Sequence, residues 1–170
     1  MILALYDGLY LHLWKFELFN RKESEIEHKI HTARALLFPM IVYYLFIDNS
    51  RVGYFIGIAF FLADLVVLAL DAYYEKGSRE FMDGLPRWEY IIHLFANSFH
   101  FASFVLIIII RENGTILKSF IGSYEVSDLI YVVGIYVIPG AITMGIIHLF
   151  LSFNIGKTKW LDLRSHITCC

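Results

Sequence analysis

Acidic residues and histidines recur at helical spacing in three apolar segments of this chain. At 100° per residue, the members of each stripe fall within about 80° of arc on one helix face. The stripes comprise Glu27, His31 and Arg34; Asp64, Asp71 and Glu75; and Glu89, His93, Asn97 and His100. Three helices are therefore predicted to direct narrow polar faces toward a common centre.

Ionised side chains in a membrane helix are expensive, at roughly 2.5 to 3.5 kcal/mol each at the bilayer centre, so they indicate function. Carboxylates and imidazoles that converge from several helices suit Zn or non-haem Fe, because both metals take His together with Asp or Glu. The predicted metal ligands are His31, Asp71, Glu75, His93 and His148. The predicted catalytic groups are Glu27 and Glu89, as candidate general bases, with Asp64 and His100.

The depth of these residues supports a single site. At about 1.5 Å of rise per residue, most of the stripe residues lie within one or two turns of one end of the bundle, and His148 reaches the same layer. Asp64 and His100 lie about 10 Å deeper, where we expect them to face each other. We interpret Asp7, His12 and His166 as structural residues without a chemical role.

The elements that must position these residues are membrane helices. The 170 residues are 58% hydrophobic with a mean hydropathy of +0.62, above the range of ordinary soluble domains, and they suffice for one domain over 1–170. We predict an all-α integral membrane protein with five helices, at 1–19, 24–47, 52–76, 87–110 and 128–153. A loop over 111–127 and a polar tail over 154–170 complete the chain. Segment 1–19 either spans the membrane, which we favour, or lies in the interface.

Local signals refine these boundaries. Ser24 is a predicted N-cap, with Glu27 completing a capping box, and Pro139-Gly140 predicts a kink in the last span. Cations gather at one end of the bundle, including Lys15, Arg21 and Arg79, whereas few lie at the other end. The positive-inside rule makes that end, and the C-terminus, cytoplasmic.

Three functions fit these observations. The first is a membrane-embedded metal-dependent hydrolase or oxidoreductase that acts on a lipid-like substrate. The second is a b-type haem or quinone-linked redox protein, in which two of the histidines at 31, 93, 100 and 148 bind iron. The third is a proton-coupled transporter or channel subunit that uses Asp64 and His100 and that would work as a homo-oligomer. A net charge of −2 argues against nucleic acid as a partner.

Overall fold

The computed structural model describes residues 2–48, 50–112 and 132–168, and this part of the chain is helical without strands. Helix α1 has α geometry over Ile2–Leu5 and π geometry over Tyr6–Lys15. Helix α2 runs over Glu25–Val42 and continues as a π-helix over Tyr43–Ile47. The bounds of the remaining helices are Arg51–Ser78 for α3, Arg87–Glu112 for α4, Val133–Val137 (π) and Ile138–Ser152 for α5, and Lys157–Thr168 for α6.

Four helices of the described chain are long and apolar enough to cross a membrane. They cover Glu25–Ile47, Arg51–Ser78, Arg87–Ile109 and Val133–Ser152, in agreement with four of the five predicted spans. Helix α1 is not among them, since it ends at Lys15. The loop predicted over 111–127 falls almost entirely outside the described residues. The four long helices are those expected of a multi-pass membrane protein.

Helix α2 occupies the centre of the bundle because small residues let its neighbours approach closely. A Cβ placed on Gly145 of α5 would lie 3.1 Å from the backbone oxygen of Ala35, so glycine is needed where α5 crosses α2. Gly57 likewise lets α3 approach the Leu45 side chain closely. Beside this contact Ile41 and Leu45 pack with Phe104 of α4 in an apolar cluster. These contacts hold α2, α3, α4 and α5 around one axis.

The amino-terminal segment packs into the bundle and ends in a sharp turn. Leu11 and Leu13 of α1 are fully buried in two separate apolar clusters. Glu17 takes a left-handed backbone conformation with φ of 51° and ends the helical run. The indole Nε1 of Trp160 donates to the Leu13 carbonyl at 3.2 Å, which fastens α6 against the end of α1. Helix α1 thus ends among the other helices.

The structure corrects two local predictions. Ser24 precedes α2 but makes no side-chain cap, because its hydroxyl donates to the Ser78 carbonyl at 2.8 Å. Glu27 completes no capping box, because Arg79 and Ser78 bind its carboxylate. The segment predicted as a polar tail contains helix α6. The kink was predicted at Pro139-Gly140. Just before this pair, the π geometry over Val133–Val137 gives way to α geometry, which begins at Ile138.

Candidate metal centre

Carboxylate and imidazole groups from α1, α2, α3 and α4 meet at one place in the bundle. In the described residues they form three groups, each with its donor atoms within 4.8 Å of one another. The groups are Asp7, His12 and His93; His12, Glu27 and His31; and Glu75, Glu89 and His93. Mixed oxygen and nitrogen donors at this spacing are suitable for a divalent transition metal.

Asp7 lies at the junction of these groups. Its Oδ1 is 2.7 Å from Nε2 of His93 and 3.4 Å from Nε2 of His12. The His12 ring is centred 4.0 Å from the His31 ring and 5.8 Å from the His93 ring. The other nitrogen of His93, Nδ1, contacts the Glu75 carboxylate. A continuous chain of donors therefore runs from His31 to Glu75 through Asp7.

The π geometry of α1 explains why Asp7 and His12 share a face. On an α-helix, residues five apart are separated by about 140°. A π-helix makes i to i+5 hydrogen bonds, so the fifth residue lies roughly one turn above the first. Long π segments are rare and often occur at functional sites. The ten-residue π-helix of α1 thus brings two donors to the centre that α-helical periodicity separates.

Arg79 holds two of the carboxylates from the loop that follows α3. Its Nη1 lies 2.6 Å from Oε2 of Glu27, and its Nε donates to Oε1 of Glu89 at 2.9 Å. All three side chains are fully buried. Burial opposes charge on the guanidinium, but the two carboxylates outweigh it and hold the pKa of Arg79 above its ordinary value.

Arg79 leaves one oxygen of each carboxylate available. Oε1 of Glu27 and Oε2 of Glu89 are buried and accept no hydrogen bond from the described residues. Buried carboxylate oxygens normally find a donor, so two of them, each within a donor group that contains histidine, indicate a missing partner. A proton or a cation can supply what such oxygens lack. The loop that carries Arg79 is itself fixed by a hydrogen bond from the Gly84 amide to the Arg79 carbonyl, at 3.0 Å.

A second polar array lies farther along the same helices. Asp64 and His100 contact each other, as predicted, with 2.9 Å between Oδ2 and Nε2. Arg34 reaches Asp64 at 3.5 Å and Asp71 at 3.3 Å. Asp71 in turn lies 3.2 Å from Nε2 of His31, which links this array to the donor groups.

A cleft between the helices joins the two arrays. Its lining includes the polar residues Asp7, His31, Arg34 and His93 together with the apolar residues Leu68, Ala72 and Ala96. Polar and apolar side chains therefore share the lining of this cleft.

His148, a predicted metal ligand, belongs to none of the three donor groups, although it lies close enough to His12 and His31 to interact with them electrostatically. Its ring stacks on His28, with 5.3 Å between centroids. Nearby, the hydroxyls of Thr32 and Ser152 are 2.8 Å apart. The predicted ligands His31, Glu75 and His93 do belong to the donor groups, whereas Asp71 only adjoins them through His31. Glu27 and Glu89, predicted as general bases, lie within the donor groups.

The centre carries an excess of negative charge. Six carboxylates face only two guanidinium groups, so four negative charges are left over if all six carboxylates are ionised and the histidines are neutral. The carboxylates belong to residues 7, 27, 64, 71, 75 and 89, and the guanidinium groups to 34 and 79. An unbalanced charge of this size in a buried site requires cations or protons.

Sequence reasoning missed Asp7 and His12. The only available signal was the pair of polar residues itself in an apolar stretch, because their spacing of five follows no α-helical face. His166, also interpreted as structural, is exposed and pairs with Asp162 on α6. Comparisons of the chain with known protein families, with curated proteins and with solved structures found no match.

Proposed function

We propose that this chain is a membrane-embedded enzyme that uses two divalent ions, Zn or non-haem Fe, to act on a lipid-like substrate. The observation that carries the proposal is the chain of donors through Asp7, in which residues of four helices meet with buried, unpartnered carboxylate oxygens. Structural ion pairing alone would leave fewer such oxygens, since each carboxylate would have its own cation.

The number of ions follows from the grouping and from the charge. Two of the donor groups share no residue, and Asp7 contacts a histidine of each. The first consists of His12, Glu27 and His31, and the second of Glu75, Glu89 and His93. Two divalent ions would also balance the four excess negative charges. Paired ions about 4 Å apart, bridged by a carboxylate, are a common arrangement in hydrolytic and oxidative enzymes.

The protein groups have distinct roles in this proposal. Arg79 fixes Glu27 and Glu89 by one oxygen each, and the other oxygen of each would hold an ion. The ions would polarise the substrate and activate a water molecule or oxygen. Asp71, held by Arg34 and open to the cleft, is placed to accept a proton. Glu27 and Glu89 therefore act as ligands here, and Asp71 replaces them as the candidate base.

The lining of the cleft supports a lipid-like substrate, and the distribution of the cations supports an orientation of the protein in the membrane. The apolar lining residues Leu68, Ala72 and Ala96 lie on two of the long apolar helices, and in this proposal an acyl or isoprenoid chain extends from them into the bilayer. The polar lining residues would hold the reacting group. The positive-inside rule directs the site and the C-terminus to the cytoplasm, with α1 ending inside the bundle.

Elemental analysis of detergent-purified protein tests the proposal. We expect about two equivalents of Zn or Fe per chain, and a loss of at least one in His12→Gln and in His93→Gln. His166→Gln removes an exposed histidine of α6 and is the matched control, with metal content unchanged. Wild-type protein that binds no metal after growth and dialysis with Zn or Fe would refute the proposal.

One observation favours a second candidate, which is proton coupling. The Asp64–His100 hydrogen bond lies deep in the long helices, where a titratable pair can relay protons. In that case Asp64→Asn would abolish proton uptake by reconstituted vesicles, and the purified protein would contain no metal. Haem is less suitable, because the histidines near the centre are surrounded by carboxylates that a haem pocket does not use.

A further inference from the structure

A second cleft, separate from the candidate metal centre, opens where α2 and α6 begin. We call it the basic cleft, since four cations line it against one carboxylate: Arg21, Lys22, Lys29 and Lys157, with Glu25. The proposed metal ligands are absent from its lining. The basic cleft therefore needs an explanation of its own.

Much of the positive charge in the basic cleft is available to a ligand. Glu25 pairs with Lys29, with 2.5 Å between Nζ and Oε1, and also interacts with Lys157 at longer range. Arg21 lies over the Phe81 ring at 3.9 Å and donates from Nε to a backbone carbonyl, so its charge has no carboxylate partner in the described chain. Lys22 and Lys157 form no ion pair within the residues described. An anion would meet an excess of three positive charges here, from four cations against one carboxylate.

A buried imidazole also lines the basic cleft. His28 is only 2% exposed, yet neither ring nitrogen has a hydrogen-bond partner in the described structure. Its packing on His148 fixes the plane of the ring. Buried polar atoms are rarely left without partners, so an unpartnered donor beside three cations is a second sign of an anionic ligand.

The surroundings of the basic cleft favour a lipid over a soluble anion. Trp160 of α6 packs against Trp14 with ring centroids 6.1 Å apart, as in the aromatic belt at a membrane interface. Phe153 and Ile155, next to the cleft, are more than half exposed. Apolar side chains at the rim can contact acyl chains while the cations contact a headgroup.

We propose that the basic cleft binds the phosphate of an anionic phospholipid headgroup at the cytoplasmic surface. The phosphodiester would accept hydrogen bonds from Lys22, Lys157 and Arg21, with His28 as a donor at the floor. Basic pockets at the ends of membrane helices recognise anionic headgroups by the same chemistry. This site does not depend on the proposed metal ions.

Native mass spectrometry in a nonionic detergent, with equal amounts of phosphatidylglycerol and phosphatidylcholine, tests this proposal. We expect wild-type protein to retain phosphatidylglycerol selectively, and the double variant Lys22→Gln/Lys157→Gln to retain about tenfold less. Lys76→Gln/Lys159→Gln is the matched control, because it removes two exposed cations from the same end outside the basic cleft. His28→Leu should also weaken retention while leaving the net charge unchanged at neutral pH.

The outcomes separate the possible explanations. Equal retention of the two lipids by wild type, or equal loss in the two double variants, would overturn the proposal. Displacement of phosphatidylglycerol by an equal concentration of inorganic phosphate would show that the cleft recognises a soluble anion and would refute the lipid assignment. Because chelator-treated protein should retain the lipid unchanged, failure of the metal proposal would not affect this result.

Discussion

Replacing Arg79 by methionine tests whether one buried cation holds two carboxylates at the candidate metal centre. Methionine has a similar length and removes the charge. Arg79, Glu27 and Glu89 are all fully buried, and the contacts from the guanidinium are 2.6 Å to Glu27 and 2.9 Å to Glu89. Without Arg79, two carboxylates would lack their charged partner.

The expected magnitude follows from this burial. Removing one partner of a buried ion pair typically costs about 3 to 5 kcal/mol, because the other charge is left uncompensated. Two carboxylates lose their partner here, so we expect the free energy of unfolding to fall by at least about 3 kcal/mol in chelator. The free energy of unfolding of Arg79→Lys should lie between those of the wild type and Arg79→Met, because an ammonium group lacks the planar fork that reaches both acids.

The assay is equilibrium unfolding in mixed micelles, with chelator present so that metal cannot compensate. Arg87→Met is the matched control, since Arg87 is exposed at the start of α4, and it should change the free energy by less than about 0.5 kcal/mol. If Arg79→Met and Arg87→Met unfold alike, then Glu27 and Glu89 are not both ionised in the buried site, and the excess of negative charge that supports metal ions is smaller than the count of carboxylates suggests.

Three further predictions test the packing, the deep array and the topology. Asp64→Asn should lower the melting temperature, since Arg34 loses a carboxylate, but it should leave the metal content unchanged because Asp64 lies outside the donor groups. Gly145→Val should destabilise by about 1 to 3 kcal/mol through overpacking against Ala35, whereas Gly77→Ala, with open space around it, should not destabilise, and thermal unfolding compares them. The only two cysteines end the sequence, so a membrane-impermeant thiol reagent should label inverted vesicles and spare right-side-out ones if the C-terminus is cytoplasmic.

The long helices and their polar faces could be predicted because both depend on regular α-helical geometry. A spacing of three, four or seven residues places polar groups on one face, and the faces carrying Glu27, Asp64 and Glu89 all point inward. The buried state of these three residues confirms that expectation. The contact between Asp64 and His100 could also be predicted, because the depth of a residue along a straight helix follows from the rise per residue.

The rest of the candidate site depends on departures from that regularity. Asp7 and His12 share a face only because α1 is a π-helix, and nothing in the local sequence indicates this geometry. Glu27 matched a capping-box pattern, but Arg79, more than fifty residues later, competes for its carboxylate with a stronger interaction. His148 reaches the predicted depth, yet it faces His28, because depth alone does not fix the rotation of α5.

Helix α1 contributes two side chains to the candidate site that the long helices do not provide. Asp7 and His12 connect the group containing His31 to the group containing Glu75, and both belong to a helix too short to be among the candidate spans. Docking α1 brings another carboxylate to an already acidic centre, which is unfavourable without a cation. Metal binding and the docking of α1 should therefore be coupled, each stabilising the other. The long helices would form a membrane bundle first, and the candidate centre would be completed only when α1 and the ions arrive together.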